Sequence, residues 1–233
     1  MLHPIHADPH LLVLNKPSGL LCVPGRGPDK QDCLSSRAQA QWPDALVVHR
    51  LDQATSGLVV MARNPMAQRQ LGDAFAARQV EKRYLAVVWG EPQATEVPEA
   101  PGMPQDGERW NLIDLPIAAD WERRPLRVIA TDPQAGQASQ TWWRPVAKTE
   151  AEAAAMPAIG PGCSRLWLAP VTGRTHQLRV HLQALDCPML GDALYAPGPV
   201  QAMAPRLLLQ AQRLALVHPV TGEWLEFALP VEF

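Results

Sequence analysis

The chain has 233 residues, with 21 Lys and Arg against 23 Asp and Glu, and 47% of its residues are hydrophobic. This composition is typical of a globular protein and argues against disordered, fibrous and membrane-spanning classes. The net charge of −2 argues mildly against a nucleic-acid binder, so any such site has to be a local basic patch. Arginine outnumbers lysine 17 to 4, and its planar guanidinium can bind phosphate or carboxylate at two points.

The cysteines are scattered and form no Cys-x-x-Cys pair; they are Cys22, Cys33, Cys163 and Cys187. No basic and apolar leader stands at the start of the sequence, and no apolar run approaches the roughly 20 residues of a membrane-spanning helix. These features predict a reduced, cytoplasmic protein whose fold needs neither disulfides nor a structural metal.

Short strands and two helices are predicted in the first part of the chain. Apolar runs predict strands at residues 11–14, 46–49, 58–61 and 84–89. A helix is expected over 29–42, and another over 65–78, where Asn64 supplies an N-cap and Pro65 occupies the first helical position. Residues 91–109 carry several prolines and acids and predict a surface loop.

The second part of the chain predicts several antiparallel strands. Strand-like pieces lie at 112–117, 126–131, 139–147 and 164–168, separated by turn residues. A hairpin formed by 214–217 and 224–229 is expected to close the fold. Because no internal repeat and no clear linker is visible, a single domain over 1–233 is predicted.

A further helix is expected after residue 174, with Thr175 as its N-cap. Its apolar face would carry Leu178, Leu182 and Leu185, which are spaced four and three apart. An adjoining face would then present a polar stripe of His176, Arg179 and Gln183. Arginines at a helix start can hold a phosphate or fix a catalytic carboxylate.

Asp52 lies where the chain leaves the core, between Arg50 and the polar run at 55–57. Such a carboxylate can act as nucleophile or general base, or it can simply pair with a neighbour or cap a turn. Tyr84, near a strand start, could stack on a base or be buried in the core. The residues alone leave both pairs of alternatives open.

The histidines do not have the spacing of a metal site. His176 and His181 are five residues apart, whereas zinc-binding helices place their ligands four apart. His3, His6 and His10 are interrupted by prolines and are interpreted as a mobile, solvated terminus. No metal site is expected.

Four sequence blocks occur together in a fixed order. They are Asn15-Lys16-Pro17-Ser18-Gly19; His49-Arg50-Leu51-Asp52 with Thr55-Ser56-Gly57-Leu58; Lys82-Arg83-Tyr84-Leu85-Ala86 with Trp89-Gly90; and Thr172 to Arg179 with Gly191-Asp192 and Tyr195. In this order they resemble the RluA-type pseudouridine synthases, over about residues 11–230. The tail from Met203 to Ala211 is most similar to the short RluA subgroup, which typically has His where Gln210 stands.

The resemblance implies isomerisation of a uridine in RNA without cofactor or metal. The target would be a tRNA anticodon loop, a hairpin loop of 23S rRNA, or both. By motif match Asp52 would be the catalytic aspartate, attacking the sugar or the base or deprotonating the sugar. Tyr84 would stack on the uracil and assist proton transfer, Arg179 would pair with Asp52, and Leu178 would pack against the base.

The resemblance also implies the residues that hold RNA. Arg50 would fill the gap left by the extruded uridine. The other substrate-binding residues would be His49, Lys82, Arg83, Arg174 and His176, with Arg63 as a further RNA contact. RNA would be the partner, with no membrane and no obligatory protein partner, and the enzyme would be a monomer.

The implied fold is α+β, with a mixed, mainly antiparallel sheet flanked by helices, a central RNA-binding cleft and no S4 domain. A catalytically inactive RNA-binding or RNA-folding factor on the same scaffold is the main alternative. The presence of Asp52, Tyr84 and Arg179 argues against it. An unrelated hydrolase using Asp52 and a histidine lacks a recognisable nucleophile or metal set.

Overall fold

The computed structural model describes residues 1–94, 100–146, 156 and 158–233. The chain divides into two compact units, one made of Met1–Lys82 with Gln210–Pro230, the other of Arg83–Leu209 with Val231–Phe233. No helix in these described ranges is long and apolar enough to cross a bilayer. The single-domain hypothesis over 1–233 stays a prediction.

Twelve strands and four α-helices lie in the described residues. The strands are β1 Pro4–Ala7, β2 Leu11–Lys16, β3 Leu46–Val47, β4 Ser56–Ala62, β5 Glu81–Trp89, β6 Asn111–Asp114, β7 Ile117–Ala119, β8 Arg127–Ile129, β9 Gln140–Pro145, β10 Cys163–Pro170, β11 Leu209–Val217 and β12 Trp224–Ala228. The helices are α1 Leu34–Gln39, α2 Pro65–Ala76, α3 Gln177–Ala184 and α4 Gly198–Gln201.

The first unit is built on β4, all seven residues of which are buried. Strands β2 and β3 pair with β4 antiparallel, whereas β11 pairs with it in parallel through Gln210 and Ser56. Gly57 makes the parallel pairing possible, because a Cβ at this position would lie 2.3 Å from the Ala211 carbonyl oxygen. Its φ of 116° is also a conformation that favours glycine.

Helix α2 begins as its sequence predicts. The Asn64 side chain accepts a hydrogen bond from the Ala67 amide at 2.9 Å, with Pro65 at the first helical position. Ala67 and Leu71 then pack into the core of the first unit against strands β2, β4 and β11. The predicted helix over 29–42 is partly wrong: a 3₁₀ turn at Pro28–Lys30 precedes α1, which Cys33 caps by accepting from the Ser36 amide.

The N-terminal histidines are not a mobile terminus. His6 lies in β1, which pairs antiparallel with β2. Its Nε2 lies 2.6 Å from Asp8 Oδ2, and the buried His218 contacts the same oxygen at 3.3 Å. Pairing with a neighbouring strand and a shared carboxylate therefore orders this segment, which its prolines and histidines did not indicate.

The second unit contains the antiparallel sheet β5-β10-β9-β6 and a separate hairpin of β7 and β8. Helix α3 covers one face of the sheet, where His181 contacts the Thr141 hydroxyl at 2.9 Å. On the opposite face, Leu85, Trp142 and Trp167 form a core with Trp110. The predicted strand over 112–117 is divided between β6 and β7.

The predicted surface loop over 91–109 lies partly outside the described residues. Residues 91–94 and 100–109 contain neither helix nor strand, while Met103 packs against the Trp110 core and Pro104 is buried. The predicted hairpin near the end of the chain is observed as β11 and β12. The α+β prediction, with a mixed and mainly antiparallel sheet, is confirmed.

Candidate active site

The loop that carries Asp52 joins β3 to β4 and is bonded to residues 17–22. Gly19 donates its amide to the Gln53 carbonyl at 2.8 Å, and Gln53 returns a hydrogen bond from its side chain to the Gly19 carbonyl at 3.0 Å. The Ser18 hydroxyl donates to the Ala54 carbonyl at 2.6 Å. The first and second sequence blocks therefore form one structural element that fixes the Asp52 backbone.

Lys16 is the centre of this element and is fully buried. Its ammonium donates to three backbone carbonyls, those of Pro17 at 2.9 Å, Leu20 at 2.7 Å and Gln53 at 3.0 Å. Burial lowers the pKa of Lys16 to about 8, although the nearby Cys22 and Asp52 act to raise it. Lys16 thus supplies a positive charge close to Asp52 while fixing the two loops.

Asp52 is partly exposed, and its neighbours face opposite environments. Its carbonyl accepts the Thr55 amide at 3.1 Å, which closes the turn. Leu51 is buried and donates its amide to the Cys22 sulfur at 3.2 Å, whereas the Arg50 side chain is exposed. Exposed Arg50 and partly exposed Asp52 therefore flank the buried Leu51, and both remain accessible on a fixed backbone. This accessibility suits the roles predicted for them.

His49 is held by contacts inside the first unit. Its Nε2 accepts the Val60 amide at 3.0 Å, and its ring stacks on Phe75 with centroids 4.4 Å apart. Burial, with a contribution from Lys82, lowers the pKa of His49 to about 3. The ring is therefore neutral and braces the start of the Asp52 loop; a substrate contact by His49 stays a prediction.

Two other basic residues of the first unit were predicted to contact RNA. Burial lowers the pKa of Lys82 to about 8, with Arg78 as the second cause. Arg63 is occupied by internal partners, the Asp8 carbonyl at 2.8 Å and the Asp44 carboxylate at 3.1 Å. Arg63 therefore supports the chain between β4 and α2, and its RNA contact stays a prediction.

The start of α3 differs from the expected one. The N-cap is His176 in a left-handed conformation, with φ of 58°, and not Thr175. The Gln177 side chain closes the turn by accepting from the Arg174 amide at 3.0 Å and the Thr172 hydroxyl at 2.8 Å. The side-chain nitrogen of Gln177, Nε2, also donates to the Gln140 carbonyl at 2.9 Å, so α3 is fixed to β9.

Arg179 does not lie on an outward polar stripe, as its helical spacing suggested. It is 4% exposed and forms a two-point ion pair with the fully buried Asp192, through Nε at 2.8 Å and Nη2 at 2.5 Å. Asp192 Oδ1, which accepts from Arg179 Nη2, also accepts the Leu194 and Tyr195 backbone amides. Arg179 is thus held rigidly from one side; its predicted pairing with Asp52 stays a prediction.

Tyr195 extends this network from Arg179 to the helix start. The Arg179 guanidinium lies 4.9 Å from the centre of the Tyr195 ring. The Tyr195 hydroxyl lies 2.7 Å from His176 Nδ1 and accepts the Arg127 amide at 2.9 Å. His176 therefore has an internal partner in addition to its predicted substrate contact, which stays a prediction.

Tyr84 and Arg83 lie on opposite faces of the second unit's sheet. Tyr84 is opposite Leu168, and the register through β10 and β9 places it on the face that α3 covers. Arg83 lies on the other face, with its guanidinium 5.3 Å from the Trp110 ring centre. The strand alternation therefore brings Tyr84, but not Arg83, to the sheet face that α3 covers.

The remaining predicted site residues belong to the start of α3. Leu178 is buried. Arg174 is exposed, and its Nε donates to the Ala138 carbonyl at 3.3 Å. Lys16 and Asp192 are residues whose roles the sequence reasoning missed. The available signals were that Lys16 is a charged residue at the end of an apolar strand and that Asp192 follows Gly191 in the last sequence block.

Comparisons with known proteins show which family the chain belongs to. A family model described as RNA pseudouridylate synthase matches residues 10–184. The dual-specificity RNA pseudouridine synthase RluA of Escherichia coli strain K12 is 41% identical over 229 residues, covering 98% of this chain and 93% of that protein. The protein of the same name from Yersinia pestis is 40% identical and covers 98% of each.

A solved structure is also similar over nearly the whole chain. Human RNA pseudouridylate synthase domain containing 1 has a TM-score of 0.72 and 27% identity, covering 99% of this chain and 83% of that one. The predicted resemblance and fold are confirmed. The chain therefore belongs to the RNA pseudouridylate synthase family, with RluA-type synthases among its relatives.

Proposed function

We propose that this chain isomerises a specific uridine in the loop of a structured RNA, with Asp52 as the catalytic carboxylate. The N1–C1′ glycosidic bond breaks, the uracil turns, and a C5–C1′ bond forms; the C5 proton is lost and N1 gains one. The observation that carries the proposal is the Asp52 loop, whose backbone is fixed by Lys16 and by the Gly19–Gln53 hydrogen bonds.

The roles proposed for the other residues are those that the family resemblance implies. Tyr84 stacks on the uracil and assists removal of the C5 proton. Arg179 pairs with the Asp52 carboxylate and directs it. Leu178 packs against the base, and Arg50 occupies the space that the uridine leaves. Lys82, Arg174 and His176 contribute RNA contacts.

The RNA target is proposed from the relatives. Those quoted above are named dual-specificity synthases, which supports more than one RNA substrate for this chain. We propose a tRNA anticodon loop and a 23S rRNA hairpin as the candidates. All four cysteines are free, which supports a location in the reducing cytoplasm. The enzyme is proposed to act there as a monomer.

The test compares the protein with Asp52→Asn and a matched control, Asp29→Asn, which alters an exposed aspartate. Each is incubated with unmodified tRNA and 23S rRNA fragments, and pseudouridine is mapped by carbodiimide labelling and primer extension. Stops at one loop uridine with wild type and Asp29→Asn, but not with Asp52→Asn, are expected. Activity in Asp52→Asn, or RNA binding without stops by all three proteins, would contradict the proposal.

A further inference from the structure

Trp121 is the most exposed tryptophan of the described residues, with 71% of its surface open to solvent. It lies in the loop between β7 and β8, residues 120–126, hereafter the tip loop. The Arg124 guanidinium lies 4.2 Å from the centre of its ring. An aromatic ring with an arginine on one face and solvent around it offers a flat surface on which a base can stack.

The tip loop is held in place by its own hydrogen bonds. Asp120 accepts the Arg123 amide at 3.0 Å and forms an ion pair with the Arg123 guanidinium at 2.7 Å. The Asp120 amide donates to the Leu126 carbonyl, and the Leu126 amide donates to the Arg123 carbonyl. A ligand that stacks on Trp121 therefore meets a formed loop, which reduces the entropy lost on binding.

The base of the hairpin is attached to α3. Ile117, Leu126 and Ile129 pack with Val180 and Tyr195, and the Arg127 amide donates to the Tyr195 hydroxyl. Tyr195 is the residue that contacts both His176 and Arg179. The hairpin that ends in the tip loop therefore packs against the helix that carries Arg179.

Basic residues lie in the tip loop and near the base of its hairpin. Arg123 and Arg124 are exposed in the tip loop, and Arg174 donates to the Ala138 carbonyl next to Gln137, which pairs with Ile117 of β7. Aromatic stacking beside arginines is the chemistry that recognises single-stranded nucleic acid. A purely apolar partner that covered the exposed Arg124 guanidinium would remove its water and offer no polar group in exchange.

We propose that Trp121 stacks on an unpaired base of the RNA substrate other than the reacting uridine, while Arg124 contacts the adjacent phosphate. The inference rests on the proposed function, because that function makes RNA the substrate. It adds a contact that anchors the RNA loop beside α3, and so makes the tip loop a determinant of which RNA is accepted.

The test measures RNA affinity for Trp121→Ala, Trp121→Phe and the control Trp224→Ala. Trp224 is 44% exposed on β12, with its ring nitrogen bonded to Glu226. All three changes are made in the Asp52→Asn protein, and a labelled tRNA anticodon stem-loop is titrated by fluorescence anisotropy. Trp121→Ala is expected to weaken binding about 5- to 100-fold, as loss of one stacked base does.

The controls separate stacking from folding. Trp121→Phe is expected to restore most of the affinity, and Trp224→Ala to bind as the parent does. Arg124→Ala is expected to reduce the salt dependence of binding by about one phosphate contact. Affinity of Trp121→Ala within twofold of Trp224→Ala would overturn the proposal, even if wild type forms pseudouridine. Weakened binding without pseudouridine formation by wild type would instead contradict only the proposed function.

Discussion

Arg179 and Asp192 form a buried two-point ion pair that joins α3 to the segment following it. Removal of one partner leaves an uncompensated buried charge, which typically costs about 3–5 kcal/mol. Replacement of both by apolar residues of similar volume is often nearly neutral for stability. The pair therefore allows the structural and catalytic roles of Arg179 to be separated.

Asp192→Leu is expected to lower the free energy of unfolding by about 3–5 kcal/mol, because it strands Arg179. The double variant Arg179→Met with Asp192→Asn keeps an acceptor for the Leu194 and Tyr195 amides, so it should regain most of that stability but should form no pseudouridine. Urea denaturation and the single-turnover rate check these outcomes. An active double variant would show that Arg179 has only a structural role.

Lys16→Met is expected to reduce both stability and turnover, since three backbone carbonyls lose their donor. The buried Leu20 carbonyl alone costs about 1–3 kcal/mol if left unsatisfied. The single-turnover rate should fall at least about tenfold, as expected when a catalytic loop is misplaced. Lys30→Met changes an exposed lysine and should behave as wild type. A stable, fully active Lys16→Met protein would show that the other loop contacts suffice.

Gly57→Ala is expected to be severely destabilising, because the new Cβ would meet the Ala211 backbone at 2.3 Å and the residue has a positive φ. Gly72→Ala is the opposite case, since it lies within α2 with open space around it. It should stabilise the protein by roughly 0.5–1 kcal/mol. Thermal unfolding of Gly57→Ala and Gly72→Ala measures both changes in stability. Equal changes in the two variants would contradict the steric argument.

His181 predicts a pH dependence of stability. Burial lowers its pKa to about 4, although the Leu115 carbonyl and Asp114 act to raise it. Because the folded pKa lies below the unfolded value of 6.5, the stability from this group is complete above about pH 6.5 and is lost as the pH falls towards 4.

The loss amounts to about 3 kcal/mol for a shift of this size. His181→Gln keeps a donor for the Leu115 carbonyl and removes the titrating group. The variant should be less stable than wild type at pH 7, yet its free energy of unfolding should decline less between pH 6.5 and 4. Parallel pH profiles for the two proteins would indicate that other groups govern acid unfolding.

Local sequence patterns predicted the elements that local interactions decide. The N-cap Asn64 and Pro65 identified the start of α2, because the side chain that caps the helix lies three residues from the amide that it accepts. The closing hairpin of β11 and β12 was identified from two strand-like runs, 214–217 and 224–229, with a short turn between them. Motif order identified the family.

Specific side-chain partners, which hydrophobic periodicity does not encode, decided what the patterns could not predict. Arg179 was expected on a polar face, but Asp192, thirteen residues later, makes its burial possible. Thr175 was expected to cap α3, but the side chain of Gln177 closes the turn. The charge of Lys16 is buried because backbone carbonyls from two loops surround it, and helical or strand periodicity contains no information about such contacts.

The parallel pairing of β11 with β4 has a consequence for biosynthesis. The first unit needs Gln210–Pro230, which the ribosome makes only after the whole of 83–209. At 5–20 residues per second, β4 waits roughly 7–30 s for its neighbour. During that interval the edge of β4 at Ser56 and Gly57, which β11 covers in the finished fold, is open to pairing with another chain.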